Sequence, residues 1–277
     1  MAITAADVKA LRERTGAGMM ECKKALTECN GDIAEAEKYL KEKGLAAMAK
    51  RSERATTEGR LFIRQNGNKI AVVELTCETD FVANNSDFIA VGEKLLDVTF
   101  EKGYTKVEAE HESILEPLKI SIRENMKVAK VEVFEIPANA VGSFYVHSDK
   151  KTGAVVIVSG SDSEVVKNFT YDSCLHIAAF TPAYLSKNDV PQSYIDEQKE
   201  IFKAQMDQDD KMASKAENVK EGILQGKINK HLAEICFEDQ MFVKDDKKTV
   251  TAKLAEIGKE VGANLKFETA KLFILGK

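Results

Sequence analysis

The stretch EGRLFIRQNGNKIAVVELTCETDFVANNSD, residues 58–87, decides the fold because it predicts a β-hairpin and the connection that follows it. Two runs rich in β-branched and aromatic residues flank Asn66-Gly67, which is a strong signal for a hairpin turn. An apolar helical stripe begins at about Ser86. Since a hairpin needs a helix over one face to be stable, the stretch predicts a hairpin-plus-helix unit.

The same pattern returns later in the chain. GSFYVHSDKKTGAVVIVSGSD, residues 142–162, predicts a second hairpin with its turn at residues 149–153, and a helix is predicted over residues 163–180. A further helix and the strand KVAKVEVFEI lie between the two units. The sequence therefore predicts an α+β core built from two related halves.

The two units differ in the connection between strand and helix. In the second unit SGSD reaches the helix directly, whereas the first unit inserts FVANNS after CETD. The insertion begins with Phe81, directly after the acid Asp80. One interpretation is that Phe81 folds back against its own helix as a hydrophobic staple. The other is that Phe81 is an exposed anchor that enters a partner's pocket, as aromatic side chains often do at interfaces.

The N-terminal residues 3–44 predict three short helices. Thr4 and Asp7 form a capping box for the first, and Asp32 with Glu35 caps the third. So few residues make a small module with a marginal core. The segment AAMAKRSERATTE, residues 46–58, has little apolar character and predicts a linker.

The chain after Pro191 is polar, prone to form helices and heptad-like. It predicts an antiparallel helical hairpin, with a reversal at DQDDKMAS, residues 207–214, that either protrudes toward a partner or second copy or lies back on the core. Residues 241–250 predict a loop, residues 251–265 a helix, and the last thirteen residues an apolar tail.

Composition excludes several classes of protein. The net charge of −5 argues against a general nucleic-acid binder, which needs a basic excess to meet phosphates. No apolar run approaches the roughly 20 residues that span a bilayer. The N-terminus also lacks the order of charged and apolar residues found in a signal peptide, so we expect a cytoplasmic protein without membrane contact.

Motifs for chemistry are missing from the sequence. The five cysteines are odd in number and form no CxxC pair, and the four histidines have no ligand spacing, so no disulfide framework, zinc site or other metal site is predicted. The sequence has no phosphate loop and no nucleophile elbow. We therefore predict no catalytic residues, no cofactor and no enzymatic activity.

Five motifs resemble one family over essentially the whole chain and in the same order. They are RTGAGMMECKKAL (residues 14–26), NGDIAEA (30–36), TDFVANN (79–85), HIAAFTPAYLSKNDVP (176–191) and FVKDDKKTV (242–250). Together they resemble the bacterial elongation factor Ts family. The sequence departs from the family's common pattern at three positions. These are Asn84, where a basic residue is common, Arg123, where glycine is common, and Met241, where proline is common.

The resemblance implies a non-enzymatic exchange factor that binds elongation factor Tu-GDP, displaces Mg²⁺ and promotes GDP release so that GTP can bind. It also implies a three-helix module similar to ubiquitin-associated domains, a protruding helical hairpin or coiled coil, and a short C-terminal module. The implied division is 1–54 (N-terminal module with linker), 55–140 (first core half), 141–186 and 227–262 (second core half), 187–226 (helical hairpin) and 263–277 (C-terminal module).

The resemblance also assigns residues to the partner contact. It implies that Thr79, Asp80, Phe81 and Val82 act beside the Mg²⁺ site of elongation factor Tu. Weaker contacts are implied for Arg14, Met19, Met20, Ile122 and His147. Neither direct nucleic-acid binding nor membrane binding is implied, and a homodimer or 2:2 assembly through the core and helical hairpin is compatible with it. The alternative is a non-enzymatic adaptor that uses the N-terminal module and helical hairpin for other protein partners.

Overall fold

The computed structural model describes residues 3–209 and 215–277, which fall into two compact units. The first unit contains the described residues up to Arg64, with Ala71–Phe134 and Ile274–Lys277. The second contains Gln65–Ile70 and the described residues of Glu135–Phe273. Helices and small sheets make up both units, so the predicted α+β class is confirmed. None of the described helices is long and apolar enough to cross a membrane.

The elements follow one another in a mixed order along the chain. The first half contains α1 (Ala5–Thr15), α2 (Met19–Glu28), α3 (Ile33–Arg51), β1 (Glu58–Asn66), β2 (Lys69–Cys77), α4 (Asp80–Ala83), α5 (Ser86–Lys102), α6 (Ala109–Ile122) and β3 (Met126–Glu135). The second half contains β4 (Ala140–Val146), β5 (Thr152–Ser159), α7 (Glu164–Phe180), α8 (Gln192–Asp207), α9 (Glu217–Ile235), β6 (Met241–Phe242), β7 (Asp245–Thr249), α10 (Val250–Val261) and β8 (Lys266–Ile274).

The three N-terminal helices have their own small core, formed by Leu11, Cys22, Leu26 and neighbouring residues. The predicted capping box is present at Thr4, and the Asp32 side chain accepts a hydrogen bond from the N–H of Glu35. The predicted linker at residues 46–58 is wrong over its first half, because α3 continues to Arg51. Alanine and lysine favour helix even without an apolar stripe, which explains this extension.

The first sheet has the strand order β1-β2-β3. The predicted hairpin is confirmed, with Gly67 in the left-handed region at φ 57°. Strand β2 is almost wholly buried. Helix α5 approaches the sheet closely at Gly92, where an added Cβ would lie 2.0 Å from Cζ of Phe62. This tight core fixes the end of β2, from which the connection to α5 leaves.

The second sheet has the order β4-β5-β8, and β4 pairs antiparallel with β5 from Ala140↔Ser159 to Val146↔Gly153. Three sequence predictions need correction here. The expected apolar tail is strand β8, whose backbone pairs within the sheet. The expected loop at residues 241–250 contains β6 and β7, which form a two-stranded sheet. The last helix ends at Val261, because Gly262 caps it in the left-handed conformation.

Helices α8 and α9 pack through a cluster that contains Val190, Ile228, Leu232 and Cys236. The Tyr194 hydroxyl lies 2.9 Å from Nε2 of His231, which links the two helices. Within the predicted apolar stripes, Ile201 and Val219 are instead exposed. The predicted reversal at residues 207–214 lies partly outside the described residues.

Two buried histidines share one hydrogen-bonding arrangement. Nδ1 of His111 accepts the N–H of Glu108 at 3.0 Å, and Nδ1 of His176 accepts the N–H of Val243 at 3.1 Å. Nε2 lies 3.1 Å from the Thr99 hydroxyl in His111 and 2.9 Å from Oε1 of Gln240 in His176. Burial lowers the pKa of both imidazoles from the ordinary 6.5. At neutral pH both rings are therefore uncharged in the folded protein.

These histidines predict a loss of stability in mild acid. As the pH falls through about 6.5 the unfolded chain binds protons that the folded state takes up only at lower pH, so the free energy of unfolding falls. We expect urea unfolding to show a lower free energy at about pH 5.5 than at about pH 7.5. The His176→Gln variant should reduce this difference, because it removes one of the two buried imidazoles. Equal free energies at both pH values would contradict the assignment.

Candidate functional site

The connection after β2 presents Phe81 to solvent. Where the sequence predicts a loop, Asp80–Ala83 forms the single helical turn α4. Oγ1 of Thr79 caps this turn by accepting the N–H of Val82 at 3.4 Å. The Phe81 side chain is 84% exposed, more than any other large apolar side chain in the described part of the chain. The staple interpretation is therefore wrong for this structure, and the ring is free to contact a partner.

The residues after Phe81 attach the turn to the protein. Val82 and Ala83 are buried in the core beneath the first sheet, with Phe88 and Leu95 of α5. Successive residues of a helix point in different directions, so one turn holds Phe81 outward and its two successors inward. The resemblance assigns Val82 to the partner contact, and in this structure its side chain packs against the chain's own core. Its contact with a partner stays a prediction.

Glu124 fixes the start of the turn, although it is distant in sequence. Its Oε2 accepts the N–H groups of Glu78 at 3.2 Å and Thr79 at 3.1 Å, and its Oε1 accepts the Thr79 hydroxyl at 2.7 Å. Glu78 in turn accepts the N–H of Asn125 at 2.6 Å. Two carboxylates thus cross-link the end of β2 to the segment between α6 and β3. Neither carboxylate is predicted from the sequence, because no local pattern marks this pairing.

Arg60 fixes the end of the turn. Its guanidinium donates to the carbonyl of Ala83 at 2.7 Å and to Oδ1 of Asn84 at 2.6 Å. The Asn84 amide donates to the carbonyl of Asp80 at 2.8 Å. Asn85 then caps α5 by accepting the N–H of Asp87 at 2.8 Å. Asn84, one of the departures from the family pattern, thus stabilises the turn from within.

Asp80 is accessible to a partner protein, whereas Cys77 is not. The Asp80 carboxylate is exposed and forms no hydrogen bond or ion pair with any described residue. Cys77 is buried and donates its thiol to the carbonyl of Thr79 at 3.1 Å. Burial, with the charge of Glu124 nearby, raises the pKa of Cys77 to about 12, so it is a neutral thiol. The site thus exposes the Asp80 carboxylate and the Phe81 ring to a partner, whereas the Cys77 thiol stabilises the fold.

Comparison with known proteins identifies the family. The family model described as elongation factor TS matches residues 78–271, more than half of the chain. The elongation factor Ts of Treponema denticola is 51% identical over 281 residues, covering 100% of this chain and 99% of the relative. The chain belongs to the elongation factor Ts family. The Treponema pallidum (strain Nichols) protein is 46% identical over 292 residues, and the Borreliella burgdorferi protein is 39% identical over 280 residues, each with at least 99% coverage of both chains.

Membership of the elongation factor Ts family establishes a general function. The chain is a translation elongation factor, and nucleotide exchange on elongation factor Tu is the known function of the family. Elongation factor Ts proteins are exchange factors and do not catalyse a chemical reaction. In the described residues, no group of three or more His, Cys, Asp or Glu side chains is arranged to hold a metal ion.

The weaker contacts that the elongation factor Ts resemblance implies lie in different environments. Met19 and Met20 are exposed at the start of α2, at 56% and 78%. Arg14 pairs with Glu37 at 2.6 Å, and Ile122 is partly buried against the first core. His147, in the second unit, is exposed, with Nδ1 3.0 Å from the Tyr145 hydroxyl. Only Ile122 is partly buried among these five residues, and the other four are exposed.

Arg123 explains one departure from the elongation factor Ts pattern. It ends α6 in the left-handed conformation, with φ 67°, and its N–H donates to the carbonyl of Lys119. Glycine adopts this conformation without steric cost, which accounts for its frequency at this position. In this chain the arginine side chain forms an ion pair with Glu21. With arginine at this position the chain loses the conformational freedom of glycine and gains an ion pair between the end of α6 and α2.

Proposed function

We propose that this chain binds elongation factor Tu-GDP and that the segment Thr79–Val82 displaces Mg²⁺, so that GDP leaves and GTP can bind. The observation that carries the proposal is the 84% exposure of Phe81 on a braced helical turn. Exposing the apolar surface of an aromatic ring to water costs free energy. Burying the ring in a partner's pocket would recover that free energy and so favour binding. The carboxylate of Asp80 enters the same contact from the neighbouring position.

The turn is already ordered before binding. Glu124 holds its first residues and Arg60 holds its last ones, while Val82 lies in the core. Binding therefore costs little additional backbone entropy, and more of the contact energy is available to change the partner. A flexible loop with the same residues would lose part of that energy in becoming ordered.

Displacing Mg²⁺ is sufficient to weaken GDP binding. The ion bridges phosphate oxygens and neutralises their charge, so its loss leaves the diphosphate less strongly held. The exchange factor binds best to the nucleotide-free partner. By thermodynamic linkage, bound exchange factor lowers the partner's affinity for nucleotide, and bound nucleotide lowers the partner's affinity for the exchange factor by the same factor. The mechanism requires no nucleotide pocket, cofactor or catalytic residue in this chain.

The finer organisation belongs to the same proposal. We propose that α1–α3 form a docking module similar to ubiquitin-associated domains, and that two related hairpin-plus-helix halves form the core. Residues 187–226, which contain α8 and the start of α9, would project as a hairpin, and the C-terminal segment would contact the nucleotide domain of the partner. The division at residues 54, 140, 186, 226 and 262 follows from this scheme. We also propose a cytoplasmic location, because the chain serves translation elongation. A homodimer or 2:2 assembly through the core or the helical hairpin is part of the same proposal.

Stopped-flow measurement of GDP release tests the proposal. Elongation factor Tu loaded with a fluorescent GDP analogue is mixed with excess unlabelled GDP, with and without the full chain. The proposal predicts faster release when the chain is present. The adaptor alternative predicts binding through the N-terminal module without faster release, so an unchanged rate would reject the exchange function.

Asp80→Asn is expected to slow exchange modestly, by about threefold, because it removes one exposed charge while keeping the side chain's shape. The same fluorescent assay measures the effect. Asp207→Asn is the matched control, since it removes another exposed acid that forms no ion pair with a described residue. Equal rates for the two variants would remove Asp80 from the mechanism.

A further inference from the structure

A cavity of about 450 Å³ lies within the first unit, between the N-terminal helices and α6. Close contact of α3 with α6 forms its floor: Gly44 lies against Ile120, where an added Cβ would be 2.7 Å from Cγ2. The Arg51 guanidinium also donates to the carbonyl of Lys119 at 3.3 Å. The volume is within the range typical of sites for small molecules, about 300–1,000 Å³.

The lining of this cavity is positively charged, although the chain as a whole carries −5. Six basic and three acidic side chains line it. Each acid is paired: Glu37 with Arg14 at 2.6 Å, Glu116 with Lys41 at 3.8 Å, and Glu21 with Arg123. Lys24, Lys43 and Arg51 also line the cavity and form no ion pair with a described carboxylate. The excess positive charge is thus carried by these three residues.

Arg51 adds a guanidinium to the wall of the cavity. The residue is partly buried, and one of its terminal nitrogens donates to the carbonyl of Lys119. The planar guanidinium matches the geometry of phosphate oxygens.

Apolar groups form another part of the wall. Leu40, Ala47 and Ile120 line the cavity together with Tyr39, and Nζ of Lys43 lies 5.2 Å from the centre of the Tyr39 ring. A ligand made only of phosphate would leave these surfaces unused. An organic group attached to a phosphate would cover them and gain from their burial.

We propose that this cavity binds a small organic phosphate of nucleotide size. Arg51, Lys43 and Lys24 would hold the phosphate groups, and the organic portion would lie against Leu40, Ala47, Ile120 and Tyr39. The ligand would join α3 to α6 and so fasten the N-terminal helices to the rest of the first unit. This site is separate from the proposed role of Phe81, and it binds without elongation factor Tu.

Isothermal titration of the full chain alone tests this site, with ADP and inorganic pyrophosphate as probes. We expect ADP to bind, and to bind more tightly than pyrophosphate because of its organic portion. Absence of ADP binding at millimolar concentration would overturn the proposal. Pyrophosphate binding as tight as that of ADP would overturn the assigned role of the apolar wall.

Variants locate the bound probe. Lys43→Gln and Arg51→Gln should each weaken ADP binding by roughly tenfold, since each removes a charge-assisted contact. The exposed Lys43 provides a test that does not depend on the partly buried Arg51. Arg12→Gln is the matched control, because Arg12 is exposed on α1 and does not line the cavity. Equal ADP affinity in all three variants would place the probe elsewhere and reject the site.

Discussion

Phe81→Ala is expected to slow GDP release from elongation factor Tu by about 30-fold or more relative to the unchanged chain. Truncating an aromatic anchor that is buried only in the complex commonly costs about 2 kcal/mol or more, which corresponds to this factor. The same change should alter the free energy of unfolding by no more than about 0.5 kcal/mol, because the ring is exposed in the free protein. The variant thus separates partner contact from folding.

Two measurements establish this separation. Stopped-flow release of fluorescent GDP gives the exchange rate, and urea unfolding gives the stability of each variant. Phe180→Ala is the matched control, because Phe180 is another exposed aromatic side chain, 50% exposed at the end of α7. Normal exchange by Phe81→Ala, or equal slowing by Phe180→Ala, would refute the assignment of Phe81 as the anchor.

Glu124→Ala is expected to impair both stability and exchange. The change leaves the N–H groups of Glu78 and Thr79 and the Thr79 hydroxyl without their acceptor. A partly buried donor left unpaired costs about 1 kcal/mol, at the low end of the range for unpaired groups, and three donors are affected, so we expect a loss of about 2–3 kcal/mol in the free energy of unfolding. Exchange should fall about tenfold even where the variant is fully folded, since the turn that carries Phe81 loses its brace.

Glu124→Gln distinguishes a positioning role from general destabilisation. The amide oxygen can still accept the two N–H groups, and the amide nitrogen can donate to the Thr79 hydroxyl, so this variant should retain most of the exchange rate. Glu101→Ala, at an exposed position of α5, is the control for removing an acid. If Glu124→Ala loses stability but exchanges nucleotide at the normal rate, then Glu124 supports the fold without positioning the turn.

Much of the fold follows from local signals in the sequence. Asn66-Gly67 predicts the first hairpin, and the apolar stripe after Ser86 predicts α5. The Thr4 capping box also predicts the start of α1. Each of these elements is specified by residues that are neighbours in the chain, so a pattern of turn residues or apolar spacing is sufficient to find it.

Other elements depend on contacts that local patterns do not contain. The turn α4 has four residues, which is too short to show helical periodicity. Strand β8 is ordered by pairing within its sheet, far from its neighbours in sequence. The last part of helix α3 consists of alanine and lysine residues that bury little surface. Its sequence therefore lacks the apolar stripe by which a helix is usually recognised, and a linker was predicted instead.

The candidate site shows the same division. The resemblance assigns Thr79–Val82 to the partner contact, but their orientations come from the structure: Phe81 lies outward and Val82 inward. The brace from Glu124 to Thr79 joins residues 45 positions apart. Neither composition nor spacing predicts such a pairing, because it exists only after the core has brought the two segments together.

The most direct test of the proposed mechanism compares the unchanged chain with Phe81→Ala in the presence and absence of Mg²⁺. If Phe81 acts by displacing the ion, removing Mg²⁺ with a chelator makes that step unnecessary. At millimolar Mg²⁺ we predict that the unchanged chain releases GDP much faster than Phe81→Ala does. In chelator we predict that the two release rates lie within about twofold of each other, because the turn that carries Phe81 then has no ion to displace. A ratio of rates that stays the same when Mg²⁺ is removed would contradict the account.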